Sequence, residues 1–404
     1  MLYISILILL FILSYHYDYC SASKGKITWY VLTLIIFILI AGLRYQLGVD
    51  AIRYESGYLS MPTLSELPNF DFDSTRYAPG YVVFHAIARS ISDEWVAMQF
   101  LQAIYVNGII FWFFYRYSRK IFFCIIIYAL SLYFNFMCEV MREACAAVTL
   151  LLAWPYFIKG KWIHYYALAI ISVLFHTSAF ITLVLPILYL PKIRNIFMIG
   201  KHTILILIGV FLVGSVVGYA LTDYLKVFYF IEGMEKNIDN YANDDLAGQV
   251  VNIYGIISNL LLWCVYPYLA IAYIKRHYNG IKNHKLTDPL NFMIGICLIF
   301  AVLSIPISIF YRYNNYFFPF AIAAIGNWVY TNRPVANVKL NPNFKYMTWI
   351  MIFVPFFFLT TYRYFRIENN LEIYEEARYY PYSSIIEKST DPARTRVQHY
   401  HHAY

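Results

Sequence analysis

IHYYALAIISVLFHTSAFITLVLPILYL occupies residues 163–190. The run holds no Asp, Glu, Lys or Arg, yet basic residues bound it on both sides: Lys159 and Lys161 before it, Lys192, Arg194 and Lys201 after it. One continuous helix here would be about 42 Å long at about 1.5 Å per residue, against a hydrocarbon core of about 30 Å. A single pass would also place one basic cluster outside, against the tendency of Lys and Arg to remain cytoplasmic. Both conflicts vanish if the chain enters, turns near Phe175-His176-Thr177-Ser178 and returns. Each arm then reaches about 20 Å, so the turn lies deep. Non-helical backbone at that depth needs protein or a wet cavity around it. The sequence thus predicts a re-entrant or broken hairpin over 163–190, with His176 at its tip facing a cavity.

The rest of the chain has a matching composition. Of 404 residues, 61% are hydrophobic and 13% charged, and the mean hydropathy is +0.55. Soluble domains run about 45–50% apolar and about 25% charged, so the bilayer is this chain's solvent. That excludes a cytosolic enzyme, a secreted disulfide scaffold and a nucleic-acid-binding domain. Apolar stretches at roughly 2–17, 28–45, 95–115, 121–138, 143–158, 163–190, 203–222, 251–274, 289–310, 314–330 and 346–362 are candidate membrane segments. A shorter stretch, 79–90, contains His85 and Arg89 and reads as a helix lying at the interface or dipping into it. The expected fold is all-α: one polytopic integral membrane domain over 1–404, with about 11–12 membrane segments. No basic residue precedes the first stretch and no small-residue cleavage site follows it, so it reads as a retained helix. The six cysteines show no CxxC or metal-like spacing and read as small hydrophobes.

Loop charges orient the segments. Residues 46–94 carry three arginines against seven carboxylates, and 223–250 carry two lysines against six. These loops are expected outside, together with the Tyr-rich tail 363–404. The basic joints, among them Lys24/Lys26, Arg116/Arg119/Lys120 and Lys159/Lys161, are expected inside.

Charged groups in membrane segments are costly and usually functional. Under this topology Arg44, Arg142 and Arg312 come to the outer level with His176, and Glu139 and Glu143 flank Arg142. Each has an ordinary reading as a snorkelling anchor, a helix-end ion pair or a hydrogen-bonded turn residue. Their coincidence at one depth points to an anion held near the outer headgroups. Arginine suits a diphosphate because it binds bidentately and keeps its charge. Asp71-Phe72-Asp73 has the form of a metal-binding DxD, but in this polar loop it reads as a solvated turn, as does Asp244-Asp245.

Gly42-Leu43-Arg44-Tyr45, followed by Gly48-Val49-Asp50 and Tyr54, resembles the N-terminal signature of the EpsG family, a Wzy-like group of exopolysaccharide and O-antigen polymerases. Tyr77-Ala78-Pro79-Gly80-Tyr81 is similar to that family's E-x-G-[YF] element, with Ala78 where an acidic residue is usual. Met141-Arg142 through Ala146, then Lys159 and Lys161, then Leu174-Phe175-His176-Thr177-Ser178-Ala179, resembles its R-x-x-[AIL]-A helix, lysine-bearing joint and LFH-x-S-A stretch. Arg312-Tyr313 with Tyr316-Phe317 resembles its late R-x-x-x-Y-F element. The resemblance runs through about 40–380 in the family's order.

The resemblance implies a glycosyltransferase of the bacterial inner membrane with its active site facing outside. It would join undecaprenyl-diphosphate-linked oligosaccharide repeats, which serve as both donor and acceptor. Such a site needs cations for the leaving diphosphate, a base near the acceptor hydroxyl and polar or aromatic walls for sugar. His176, Arg142 and Arg312 are the expected catalytic residues. Arg44, Asp50, Tyr54, Glu143 and Tyr316 are the expected substrate-binding residues. No cofactor, nucleotide or metal is required. The partners are the lipid-linked oligosaccharide, the bilayer and a chain-length regulator. A flippase or transporter of lipid-linked sugar is the main rival, and an O-antigen ligase is the nearest other transferase.

Overall fold

In the computed structural model, the described residues are 2–225, 260–269, 284–307, 310–328, 367–368, 373–374, 378–389 and 391–402. They are overwhelmingly helical. Helix α1 (Leu2–Leu13) runs into a π-helical turn, Ser14–Tyr19, and α2 spans Lys26–Gly42. A short α3 (Ala51–Ser56) and an amphipathic α4 (Pro79–Ile91) follow. Then come α5 (Trp95–Tyr117), α6 (Ile121–Ser131), α7 (Met141–Ile158), α8 (Trp162–Phe175) and α9 (Phe180–Leu188). Beyond them lie α10 (Arg194–Phe197), α11 (Thr203–Leu225) and helices His284–Leu303, Tyr311–Trp328 and Pro392–His402. Two-residue strands, Ile367–Glu368 and Ile373–Tyr374, pair antiparallel.

The chain is an all-α polytopic membrane protein. Among the described residues, Leu2–Tyr19, Trp95–Tyr117 and Met141–Ile158 are long and apolar enough to cross a membrane, and shorter apolar helices accompany them. The expected segment 346–362 and the loop residues 226–250 lie outside the described residues, as does most of 251–274.

The hairpin expected at 163–190 is present as a broken one. α8 stops where His176 turns extended (φ −158°, ψ 133°), and a 3-10 turn, Thr177–Ala179, leads into α9. The Tyr165 hydroxyl, near the start of α8, donates to the Thr182 carbonyl on α9 at 2.6 Å. That bond requires the second arm to fold back along the first.

The described chain forms two compact units, residues 1–185 with 329–404 and residues 186–328. In the first, helices meet through small residues and polar links. Lipid gives no hydrophobic drive for helix association, so close packing and interhelical hydrogen bonds must supply it. Ala144, Ala146, Ala147 and Ala153 of α7 are buried, and the helix carries Thr149 to the Tyr105 hydroxyl at 2.8 Å. Tyrosine phenols close open carbonyls: Tyr30 on Phe111 at 2.8 Å and Tyr133 on Phe37 at 2.7 Å. This is one structural use of the chain's 41 tyrosines.

In the second unit, Asn291 exchanges hydrogen bonds with the backbone of Ile199, accepting from its N–H at 3.0 Å. Phe300 stacks on Tyr313 at 4.6 Å.

Candidate functional site

The site is built from the start of α7, the α8–α9 break and the start of α4. α7 and α8 are antiparallel, because Phe157 meets Tyr165 near their joint while the Ser172 hydroxyl donates to the Ala146 carbonyl at 2.7 Å further along. Arg142 lies four residues before Ala146, and His176 lies four residues after Ser172. Each is therefore about 6 Å from that bond along its helix, in the same direction. Arg142 and His176 therefore lie at a similar height along the α7–α8 pair.

α4 closes the third side. Pro79 at its first position supplies the preset φ that starts a helix. Gly80 then lies so close to α8 that a Cβ on it would sit 2.8 Å from the Leu174 carbonyl oxygen. Only glycine permits this approach, which sets Tyr77 and Tyr81 beside the break that carries His176.

The Arg142 guanidinium lies over the Tyr77 ring at 5.1 Å from its centre, and Arg76 lies over the same ring at 5.4 Å. Arg142 donates to the Arg76 carbonyl at 3.5 Å and lies near the Tyr54 phenol. Its Nε is buried with no hydrogen-bond partner. Tyr54 in turn donates to the Glu139 carbonyl at 3.4 Å. Burial pushes the Tyr54 phenol up to about 12, while the nearby guanidinium pulls it the other way. Tyr54 therefore stays a neutral phenol across physiological pH. Arg142 also stands in the first turn of α7, whose N-terminus has no side-chain cap. Exposed first-turn N–H groups and the helix dipole favour an anion there.

Behind Tyr77 sits His85, fully buried, with both ring nitrogens unpartnered. It stacks on Tyr77 at 5.6 Å and meets Tyr81 edge-on at 4.7 Å. Tyr81 and His85 are four residues apart on one face of α4, and Tyr77, in the bend just before the helix, packs against both. That spacing is visible in the sequence, but His85, Arg76 and the two tyrosines were not among the expected site residues.

Glu139 organises the neighbouring loop. Its carboxylate accepts from the backbone N–H of Val49 at 3.0 Å and of Asp50 at 3.4 Å, and from the Tyr379 hydroxyl at 3.1 Å. Gly48, with φ +94° and its Cα against Cys138, makes the turn that presents those N–H groups. The C-terminal segment seals this loop: Gln398 donates to the carbonyls of Gln46 at 3.0 Å and Gly48 at 2.9 Å.

The remaining expected residues fall in several places. Asp50 is half-buried at the start of α3, next to Tyr54. Arg44 is 3% exposed, with its guanidinium on the Ala41 carbonyl and 3.7 Å from the Met141 sulfur. It adjoins the site through Met141 but is packed among backbone and side chains. Glu143, one residue past Arg142, is 2% exposed. Arg312 and Tyr316 lie on the helix Tyr311–Trp328 of the second unit, Arg312 half-buried and Tyr316 fully buried. Asp71 and Asp73 are exposed, and Asp71 accepts from the Asp73 N–H at 3.0 Å, an ordinary turn. No group of three or more potential metal ligands occurs among the described residues.

The EpsG family model matches residues 26–384. The chain belongs to the EpsG family. Membership supports a polysaccharide-polymerase-like function in general terms, in a membrane protein of polysaccharide biosynthesis. No curated protein and no solved structure matches the chain. Within this EpsG-family chain the matched span includes each element of the site: the Arg44–Tyr54 loop, Tyr77–His85, Arg142 and the His176 break.

Proposed function

We propose that the protein polymerises undecaprenyl-diphosphate-linked oligosaccharide repeats at the outer face of the bacterial inner membrane. The observation that carries this reading is the pair of guanidinium groups, Arg142 and Arg76, over one tyrosine at an uncapped helix start. Two guanidinium groups against one ring supply the charge and the donors that a diphosphate can pair with. As the glycosidic C1–O bond breaks, negative charge grows on the leaving diphosphate, and fixed donors stabilise it most at that moment. His176, at the same level, orients the attacking hydroxyl: its Nδ1 accepts from the Ser178 N–H, so the neutral ring carries its hydrogen on Nε2 as a donor. Tyr54 and Asp50 form the wall beside it. The growing chain leaves its lipid diphosphate and joins the next repeat, whose own lipid link persists. Arg44 and Glu139 hold the surrounding loop.

Deletion of the gene, followed by a ladder gel of surface polysaccharide, tests the proposal. Loss of long chains with single repeats retained supports polymerisation. Loss of all surface repeats supports a flippase instead, and an unchanged ladder removes the protein from the pathway. Transfer of intact polymer to a different acceptor would indicate a ligase.

A further inference from the structure

A second polar site lies at the far end of the first unit. α5 begins at Trp95, whose ring is parallel to that of Tyr54 beside Arg142, and ends at Tyr117. At about 1.5 Å per residue its ends are about 34 Å apart, roughly a bilayer's hydrocarbon thickness. At the Tyr117 end a groove of about 640 Å³ opens between the starts of α2 and α6 and the last turn of α5. Lys26, Arg116 and Arg119 line it, with Trp112, Tyr115 and Ser118.

The Asp18 carboxylate, which pairs with the groove's Lys26, is already engaged. Asp18 is fully buried, takes Lys26 at 3.3 Å and the Phe123 N–H at 2.9 Å, and its carbonyl receives Lys120. The local charge therefore stays positive. The α2 N-terminus borders the same groove and carries no side-chain cap, whereas the first turn of α6 is taken by Asp18 through the Phe123 N–H. Trp and Tyr at the end of a spanning helix mark headgroup depth. The groove thus combines cations, the α2 N-terminus and interfacial aromatics at the level where lipid phosphates lie.

We infer that this groove binds the phosphate headgroup of an anionic phospholipid, in the leaflet opposite the Arg142 site. The inference does not depend on the proposed polymerase activity. Lipid is favoured over free phosphate because Ile27, Trp112 and Tyr115 line an open side suited to acyl chains and glycerol.

The full chain in nanodiscs of mixed phosphatidylglycerol and phosphatidylcholine, delipidated stepwise and read by native mass spectrometry, tests this. The expected result is retained phosphatidylglycerol in preference to phosphatidylcholine. Each cation at an anionic lipid surface contributes roughly fivefold, so Arg116→Gln with Arg119→Gln should lower that preference about 25-fold. Arg116→Lys with Arg119→Lys should largely keep it. Equal melting temperatures of the Gln pair and wild type in phosphatidylcholine alone would establish that the variant is folded. If the Gln pair melts lower, the single Arg116→Gln, on an exposed side chain, carries the test with a fivefold expectation. No headgroup preference in the wild type, or an unchanged preference in the folded Gln variant, overturns the inference. Release of the retained lipid by excess inorganic phosphate at constant ionic strength also overturns it, by making the site one for soluble phosphate.

Discussion

Arg142→Lys isolates what the guanidinium does beyond carrying charge. Lysine keeps the cation over Tyr77 but has no planar fork to span the Arg76 carbonyl and an incoming diphosphate at once. In the resting protein the guanidinium bonds to the Arg76 carbonyl at 3.5 Å and leaves its Nε unpartnered. Losing one charge-assisted bond to the leaving group costs about 1.5–3 kcal/mol, since bonds to charged groups fall in that range. If the bond matters only in the transition state, kcat/KM falls about 10- to 150-fold. Donor binding at the ground state should change far less. The assay is polymerisation of purified lipid-linked repeats by purified variant, with chain length read on a gel and donor affinity measured separately. Wild-type chain length and rate at equal protein level would refute the reasoning and remove Arg142 from the site.

His176→Asn separates chemistry from folding. The His176 side chain caps the turn by accepting from the Ser178 N–H at 3.2 Å, a task asparagine performs well. The variant should keep its melting temperature and lose turnover, because the Nε2 donor is gone; normal turnover would remove His176 from the site, with Asp50 and Glu143 next to be tested. Gly80→Ala should lower the melting temperature and activity together, by about 1–3 kcal/mol of overpacking, because its Cβ would press on the Leu174 carbonyl. An unchanged melting temperature would show that α4 does not need that approach. Arg312→Lys should reduce polymerisation at normal expression, and a wild-type ladder would free Arg312 of a role. Lys192→Cys and Lys201→Cys should resist an impermeant thiol reagent applied to intact cells; labelling from outside would reverse the orientation of the hairpin.

The broken hairpin was legible because two independent constraints, excess length and basic residues at both ends, allowed only a return. Arg142 and His176 were legible for a related reason. Charge in an apolar segment is rare, and the turn fixed their common level. Arg76 was hidden because it sits in a loop already rich in charge, where one more arginine carries no signal. His85 was hidden because its partners are aromatic, and aromatic residues make up 20% of the chain. The Tyr81–His85 spacing distinguishes this face only once α4 is known to be a helix packed against α8. The engagement of Glu139 by Val49, Asp50 and Tyr379 was unreadable because it joins residues 90 and 240 positions apart. Arg44 differs: it is an arginine within a motif, and its guanidinium lies on a helix-end carbonyl and a methionine sulfur.

The central claim concerns bond formation between lipid-linked repeats. The direct measurement is incubation of the purified protein in liposomes with defined undecaprenyl-diphosphate-linked repeats and no nucleotide sugar. Saccharide chain length and released lipid diphosphate are then quantified together. Polymerisation predicts chains that lengthen with one lipid diphosphate released per new linkage. Repeats that remain single, with no lipid diphosphate released, would contradict it.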